Sequence, residues 1–215
     1  MMQAVIAYFS QHSSAFFTAV WQHIFISLVA VLVALLIGFP LGVLSARSCR
    51  IRKVVTGVLS SLRVVPSLAL LFLIVTLTGT VGPTVAVFAL TVLALPVILI
   101  NTTVAFSQLP TAPVEAATAL GMSSRKVFLT VKLPLAAPII FAGIKTATTE
   151  VIASATLGAY IGSGGLGTII FTGLGLMRTD LLVIGGVSVA VLSLGTIAVL
   201  NIAEHLLLPW KRLSS

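Results

Sequence analysis

Carboxylates are the scarcest feature of this chain. Four Asp and Glu stand against twelve Lys and Arg in 215 residues, and charged side chains make up only 7% of the total. A soluble globular domain carries about a quarter of its residues as charges, so this composition excludes one. Cysteine is rarer still: Cys49 is alone, which leaves no disulfide and no multi-cysteine metal site within the chain. The histidines His12, His23 and His205 are scattered without ligand spacing, and a surface or interfacial place suits them better than a metal. No GxxxxGKS or GxxxxGKT stretch occurs, so ATP hydrolysis is not expected of this chain, nor any bound cofactor. Nothing points to catalysis. What fills the sequence is apolar: 59% of residues are hydrophobic, the composition of an integral membrane protein.

Five apolar runs are long enough to cross about 30 Å of hydrocarbon, at about 24–46, 58–78, 84–106, 135–159 and 181–208. The net charge of +8 takes its meaning from its placement. Arg47, Arg50, Arg52, Lys53, Arg63, Arg125, Lys126, Lys132, Lys211 and Arg212 fall in or beside three segments that a five-span topology puts on one side. Arg178 falls on the other, and Lys145 lies inside a span. Cations gather on the cytoplasmic side, so the N-terminus is expected outside and the C-terminus in the cytoplasm. The charge then serves topology, and no nucleic-acid partner is expected. Ahead of the first span, Val5, Tyr8, Phe9, Phe16 and Val20 recur at helical spacing, which predicts an amphipathic helix over 1–23 on the outer membrane surface. Trp21 and His23 would sit near the interface, and Pro209, Trp210, Lys211 and Arg212 would anchor the other end. No Lys or Arg precedes the first apolar run, which argues against a cleaved signal peptide. Residues 24–212 read as one transmembrane domain.

Several residues within the spans are unusual. Gly38, Pro40 and Gly42 either kink the first span or admit a neighbour, and Arg63 with Pro66 makes the start of the second irregular or cavity-lining. Pro96 is expected to bend the third, near whose inner end Asn101 and Thr102 read as helix-to-helix glue. The fourth contains Lys145 and Glu150, about 140° apart on an ideal helix and so not a pair within it. Lys145 is expected to snorkel to the interface. Glu150 lies deeper, and two readings stay open: a pathway or subunit-interface residue, or a buried carboxylate bonded to neighbouring spans. After this span comes YIGSGGLGTIIFTGLG, where Gly164, Gly165 and Gly167 are candidates for an outer gate, although helix packing explains them nearly as well.

The stretch around which the chain is organised is polar and basic: Glu115 to Pro134, EAATALGMSSRKVFLTVKLP, inside a hairpin at 107–134. It reads as two short helices about Gly121. Pro113 suits a first helical turn, Glu115 lies near that helix's positive end, and Ser123 or Ser124 can cap the second piece, which Pro134 closes. Such a hairpin belongs on a membrane face.

Glu115, Ala116, Ala117, Gly121, Val131, Leu133 and Pro134 together resemble the EAA loop of bacterial ABC importer permeases, EAA-x3-G-x9-I-x-LP, with Val131 in place of the isoleucine. The segments ALGMSSRKVFLTVKLPLAAPII, GSGGLGTIIFTGL and RTDLLVIGG look most like the permeases for glycine betaine, carnitine and choline. The resemblance implies an all-α polytopic membrane protein of the type I, MetI-like importer fold. It also implies a coupling helix docked on a separate nucleotide-binding ATPase that uses the ATP. Further implied partners are a second permease copy or homologue and an extracellular or periplasmic solute-binding protein, in a bacterial cell membrane. A permease for methionine or another amino acid is the alternative, and an autonomous secondary transporter a remote one. Quaternary amines are usually held in aromatic cages, and none is evident in these spans.

Overall fold

The computed structural model of the protein describes residues 2–208, with side chains from residue 5 onward. The anchor residues Pro209, Trp210, Lys211 and Arg212 lie outside the described residues. Among the described residues every regular element is helical. In chain order they are α1 (Met2–Ala46), α2 (Cys49–Leu62), α3 (Ser67–Thr78), α4 (Pro83–Ser107), α5 (Thr111–Ala119), α6 (Ser124–Val127), α7 (Leu133–Ala155), α8 (Leu166–Gly175) and α9 (Thr179–Leu207). A π turn, Phe128–Lys132, joins α6 to α7, and a 3-10 turn, Leu157–Ile161, follows α7.

Among the described residues four helical stretches are long and apolar enough to cross a membrane: Val5–Ala46, Pro83–Ser107, Ser124–Ala155 and Thr179–Leu207. The remaining expected span is a bent pair, α2 and α3, which meet at 93°. Pro66 explains the corner. A proline disfavours helical dihedrals at the residue before it and has no N–H to donate, so α2 stops at Leu62 and α3 starts at Ser67.

Helix α1 differs from the sequence expectation in another way. Its backbone runs through the 23/24 boundary between outer segment and first span, and its one non-helical residue is His12 (φ −125°, ψ 21°). The apolar stripe of its first turns is used within the protein. Val5, Tyr8, Phe16 and Val20 pack with Ala19 against Leu166 and Ile169 of α8 and Leu181 and Ile184 of α9. His12 marks a kink, and at 1.5 Å per residue the stretch after it, 13–46, is about 51 Å long, still well beyond the hydrocarbon thickness, so part of it must project or tilt.

Helix α4 is the centre. It packs on α1, α7 and α3, and Ala86, Ala89, Ala94, Val97 and Ile98 along it are almost wholly buried. It continues through Pro96 as one element. Van der Waals contact between small residues drives helix association in lipid, where no hydrophobic force separates helix from solvent. Gly42 of α1 shows this use: a Cβ there would come within 2.6 Å of the Thr102 Cβ and 3.0 Å of the Leu99 carbonyl oxygen. Two α4 threonines supply hydrogen bonds between these helices: the Thr103 hydroxyl donates to the Gly42 carbonyl at 3.3 Å as well as to Leu99 at 2.8 Å, and the Thr91 hydroxyl donates to the Ala30 carbonyl at 3.4 Å. Asn101, expected to bridge helices, instead donates to Val97 of its own helix at 2.8 Å. Helix α9 is peripheral, and only Leu181, Ile184, Gly185 and Glu204 along it are buried.

Candidate functional site

The hairpin is built almost entirely by local bonds. Helix α5 begins at Thr111 after Pro110 and ends at Ala119. Gly121 then takes a left-handed conformation, φ +76°. Its N–H donates to Thr118 at 3.0 Å and the next N–H, of Met122, donates to Ala117 at 3.2 Å. These two bonds form a Schellman motif, which satisfies carbonyls that a helix end otherwise leaves open. Ser123 starts α6 in an extended conformation, and its hydroxyl accepts from the Lys126 N–H at 3.4 Å. Of the two serines considered, Ser123 is therefore the cap. Because α5 starts at Thr111, Glu115 is its fifth residue and stands one step past the first turn, where the pull of the helix dipole on a carboxylate has weakened.

The seven motif residues divide into two groups. Glu115, Ala116 and Gly121 are exposed, while Ala117 is buried at 6% exposure and Val131, Leu133 and Pro134 are half-buried. Leu133 packs with Ala105, Ala136 and Ile140, and Phe128 stacks on Phe106 at 5.5 Å with the rings nearly parallel. Phe106 in turn meets Phe39 of α1 edge-on. This column ties the hairpin to α4 and α1. Pro134, expected to end the second short helix, does not end it: the chain passes through the π turn straight into α7, with Pro134 as its second residue. The wider turn gives Leu133 a bond to Phe128 and Pro134 needs none, since it has no N–H. Between hairpin and bundle lies a cavity of about 320 Å³ bordered by Arg47, Glu115, Phe128 and Lys132. The second half of the motif is thus a joint, and the first half a surface.

The two charges of the fourth span find partners elsewhere in the chain, one on α9 and one in the turn after α2. Lys145 is not left to reach for the interface alone: its ammonium donates to Glu204 at 2.6 Å and to Asn201 at 2.9 Å, both on α9. Glu150 pairs with Arg63 at 3.2 Å, beside a cavity of about 380 Å³ at the α2/α3 corner. Both side chains of this second pair stay more than a third exposed, so Glu150 is bonded to a neighbouring element without being buried.

The glycine-rich segment packs tightly at the opposite end of the bundle, where Gly82 ahead of α4 bonds the Ile161 carbonyl at 2.7 Å. Gly164 and Gly165 have φ of +79° and +81°, and the Gly165 N–H donates to the Gln22 side chain at 3.1 Å. Gly167 lies so close to the end of α7 that an added Cβ would meet the Thr156 carbonyl oxygen. His23, expected near an interface, is almost wholly buried here, with Nε2 3.0 Å from the Ile152 carbonyl. That carbonyl belongs to the last turn of α7, where helix bonding runs out, so a donor from α1 fills a vacancy that α7 cannot. A lone histidine in an apolar run was the only signal of this.

A family model, the binding-protein-dependent transport system inner membrane component, matches residues 38–213. The carnitine transport permease protein OpuCB of Listeria monocytogenes is 38% identical, covering 97% of this chain and 95% of its own. The choline transport system permease protein OpuBB of Bacillus subtilis (strain 168) is 35% identical over the same shares. Among solved structures, an inward-facing form of the MetNI methionine ABC transporter superposes with a TM-score of 0.71 at 23% identity, covering 87% of this chain and 95% of that one. An amino acid ABC transporter with histidines gives 0.73 at 18%, covering 91% and 95%. These two establish the fold. The chain belongs to the family of binding-protein-dependent transport system inner membrane components.

Proposed function

We propose that this protein is the permease subunit of an ATP-driven importer for glycine betaine, carnitine, choline or a related quaternary amine. The relatives named for carnitine and choline transport match it over almost their whole length, which supports the substrate class. The observation that carries the coupling is the hairpin surface. Glu115, Ala116 and Gly121 stand exposed on a rigid turn whose root is locked to α4 and α1 by Phe128, Phe106 and Phe39. A separate ATPase docks there, on the cytoplasmic side, and the N-terminus lies outside. When the ATPases close on ATP the hairpin moves, and the joint at Val131, Leu133 and Pro134 passes that movement directly into α7. A second permease copy or a homologue completes the pathway, and a binding protein delivers the solute.

The test is purification of the tagged chain from its native membranes in mild detergent, with mass spectrometry of what accompanies it. An ATPase subunit is expected, and Glu115→Lys is expected to release it and abolish uptake with the chain still in the membrane. Normal uptake by Glu115→Lys would remove the coupling surface from this account.

A further inference from the structure

The cavity at the α2/α3 corner holds two unlike charges that face the same space. Arg63 and Glu150 are 3.2 Å apart, and their side chains are 44% and 37% exposed, so a small solute entering the cavity reaches both. A third feature adds to the positive side. Ser67, the first residue of the twelve-residue helix α3, lines the cavity, and Pro66 before it supplies no side-chain cap. The first turn of α3 thus has no side-chain cap, and its first residue borders the cavity at the positive end of the helix dipole. Interrupted membrane helices present their N-termini to anionic groups of a substrate in this way. One wall of the cavity suits a carboxylate and the other a cation.

We propose that this cavity is a transit site for a zwitterionic quaternary amine, its carboxylate bonded by Arg63 at the α3 N-terminus and its ammonium set against Glu150. The proposal rests on the quaternary-amine reading above and adds to it the residues and the charge pattern they recognise. In the empty site the two side chains satisfy each other. A zwitterion exchanges that pair for two new ones and leaves the net charge of the cavity unchanged. A quaternary ammonium has no N–H, so its contact with Glu150 is Coulombic and needs no directed bond. The remaining walls include Val64, Leu93 and Ala153, and no aromatic ring lines them. Without a cage the site binds weakly. Weak binding suits a place that must let its solute go, and tight recognition then falls to the binding protein.

Uptake of glycine betaine, a zwitterion, and of choline, a cation without a carboxylate, is measured in a strain lacking the chain and complemented with wild type, Arg63→Gln or Glu150→Gln. Loss of one charged bond in the site predicts roughly a tenfold fall. Arg63→Gln should show it for glycine betaine with choline far less affected, and Glu150→Gln should show it for both. Equal losses of both solutes in Arg63→Gln mark a purely structural ion pair and overturn the proposal, as does normal uptake in both variants. A wild-type chain that restores neither solute sinks the quaternary-amine reading instead.

A second measurement needs no transport. In the purified complex with its ATPase, Ser154→Cys on a Cys49→Ser background places one thiol at the cavity. Its alkylation should be slowed by glycine betaine, and Arg63→Gln should remove that protection. An alkylation rate indifferent to glycine betaine overturns the site.

Discussion

Small residues are concentrated at both ends of this bundle, and the two ends use them in opposite ways. In the hairpin, Ala116 and Gly121 are exposed, and a Cβ added to Gly121 would meet nothing within 4 Å. In the segment after α7, Gly165 and Gly167 are buried, and a Cβ on Gly167 would collide with the backbone at Thr156 and lie 2.9 Å from the Ala159 Cβ. The hairpin is held by bonds between residues a few positions apart. The glycine-rich segment is held by Gln22, more than a hundred residues away. A buried glycine is explained by its own fold. At the hairpin the left-handed turn explains Gly121, but the exposed Ala116 beside Glu115 has no such explanation within the chain.

The contrast is broken most severely at the packed end. Gly167→Val places its side chain against a backbone carbonyl that cannot rotate away, so the end of α7 must move. We expect a cost of about 3 kcal/mol or more, the upper range for overpacking, read as a large fall in the melting temperature of the detergent-solubilised protein or as loss of folded material. A stable, folded Gly167→Val would show that this end is looser than its distances say.

Gly121→Ala is the matched change at the other end. No neighbour is met, and the strain is confined to the left-handed backbone, so the expected cost is about 1–2 kcal/mol. Uptake should fall much further than stability, because the turn sets how Glu115 and Ala116 are presented. A melting temperature lowered as far as in Gly167→Val would contradict the local character of the hairpin.

The sequence made these two ends unequally legible. Four of the five spans and the two short helices about Gly121 could be read, because a polar basic stretch inside apolar runs stands out and its turn chemistry is local: a glycine and a serine cap. What could not be read was what each span faces. In α4, apolar residues surround the helix, so periodicity gives no side to lipid or core, and a lone histidine was too little to place His23 against Ile152. The partner of Glu150 was likewise invisible, since Arg63 is 87 residues away and reaches it only because Pro66 turns the chain. The continuation through Pro134 was misread for a reason internal to helices. Proline ends a regular helix, but a π turn just before it removes the conflict.

The smallest expected effect on the fold is also the sharpest test of the contrast, because it compares neighbours. Ala116 is exposed and Ala117 buried on the same short helix. Ala117→Leu must fit extra carbon beneath α5, at about 1–3 kcal/mol. Ala116→Leu projects into solvent and should change stability by no more than about 0.5 kcal/mol. If the exposed half of the motif is a contact, both variants lose uptake, but only Ala117→Leu lowers the melting temperature. Ala116→Leu then separates docking from folding, since a bulky side chain there obstructs a partner and nothing else. Full uptake by Ala116→Leu with the ATPase still bound would mean that the small exposed surface is not closely covered. The case for coupling would then have to rest on the joint at Val131, Leu133 and Pro134, where the hairpin runs unbroken into α7.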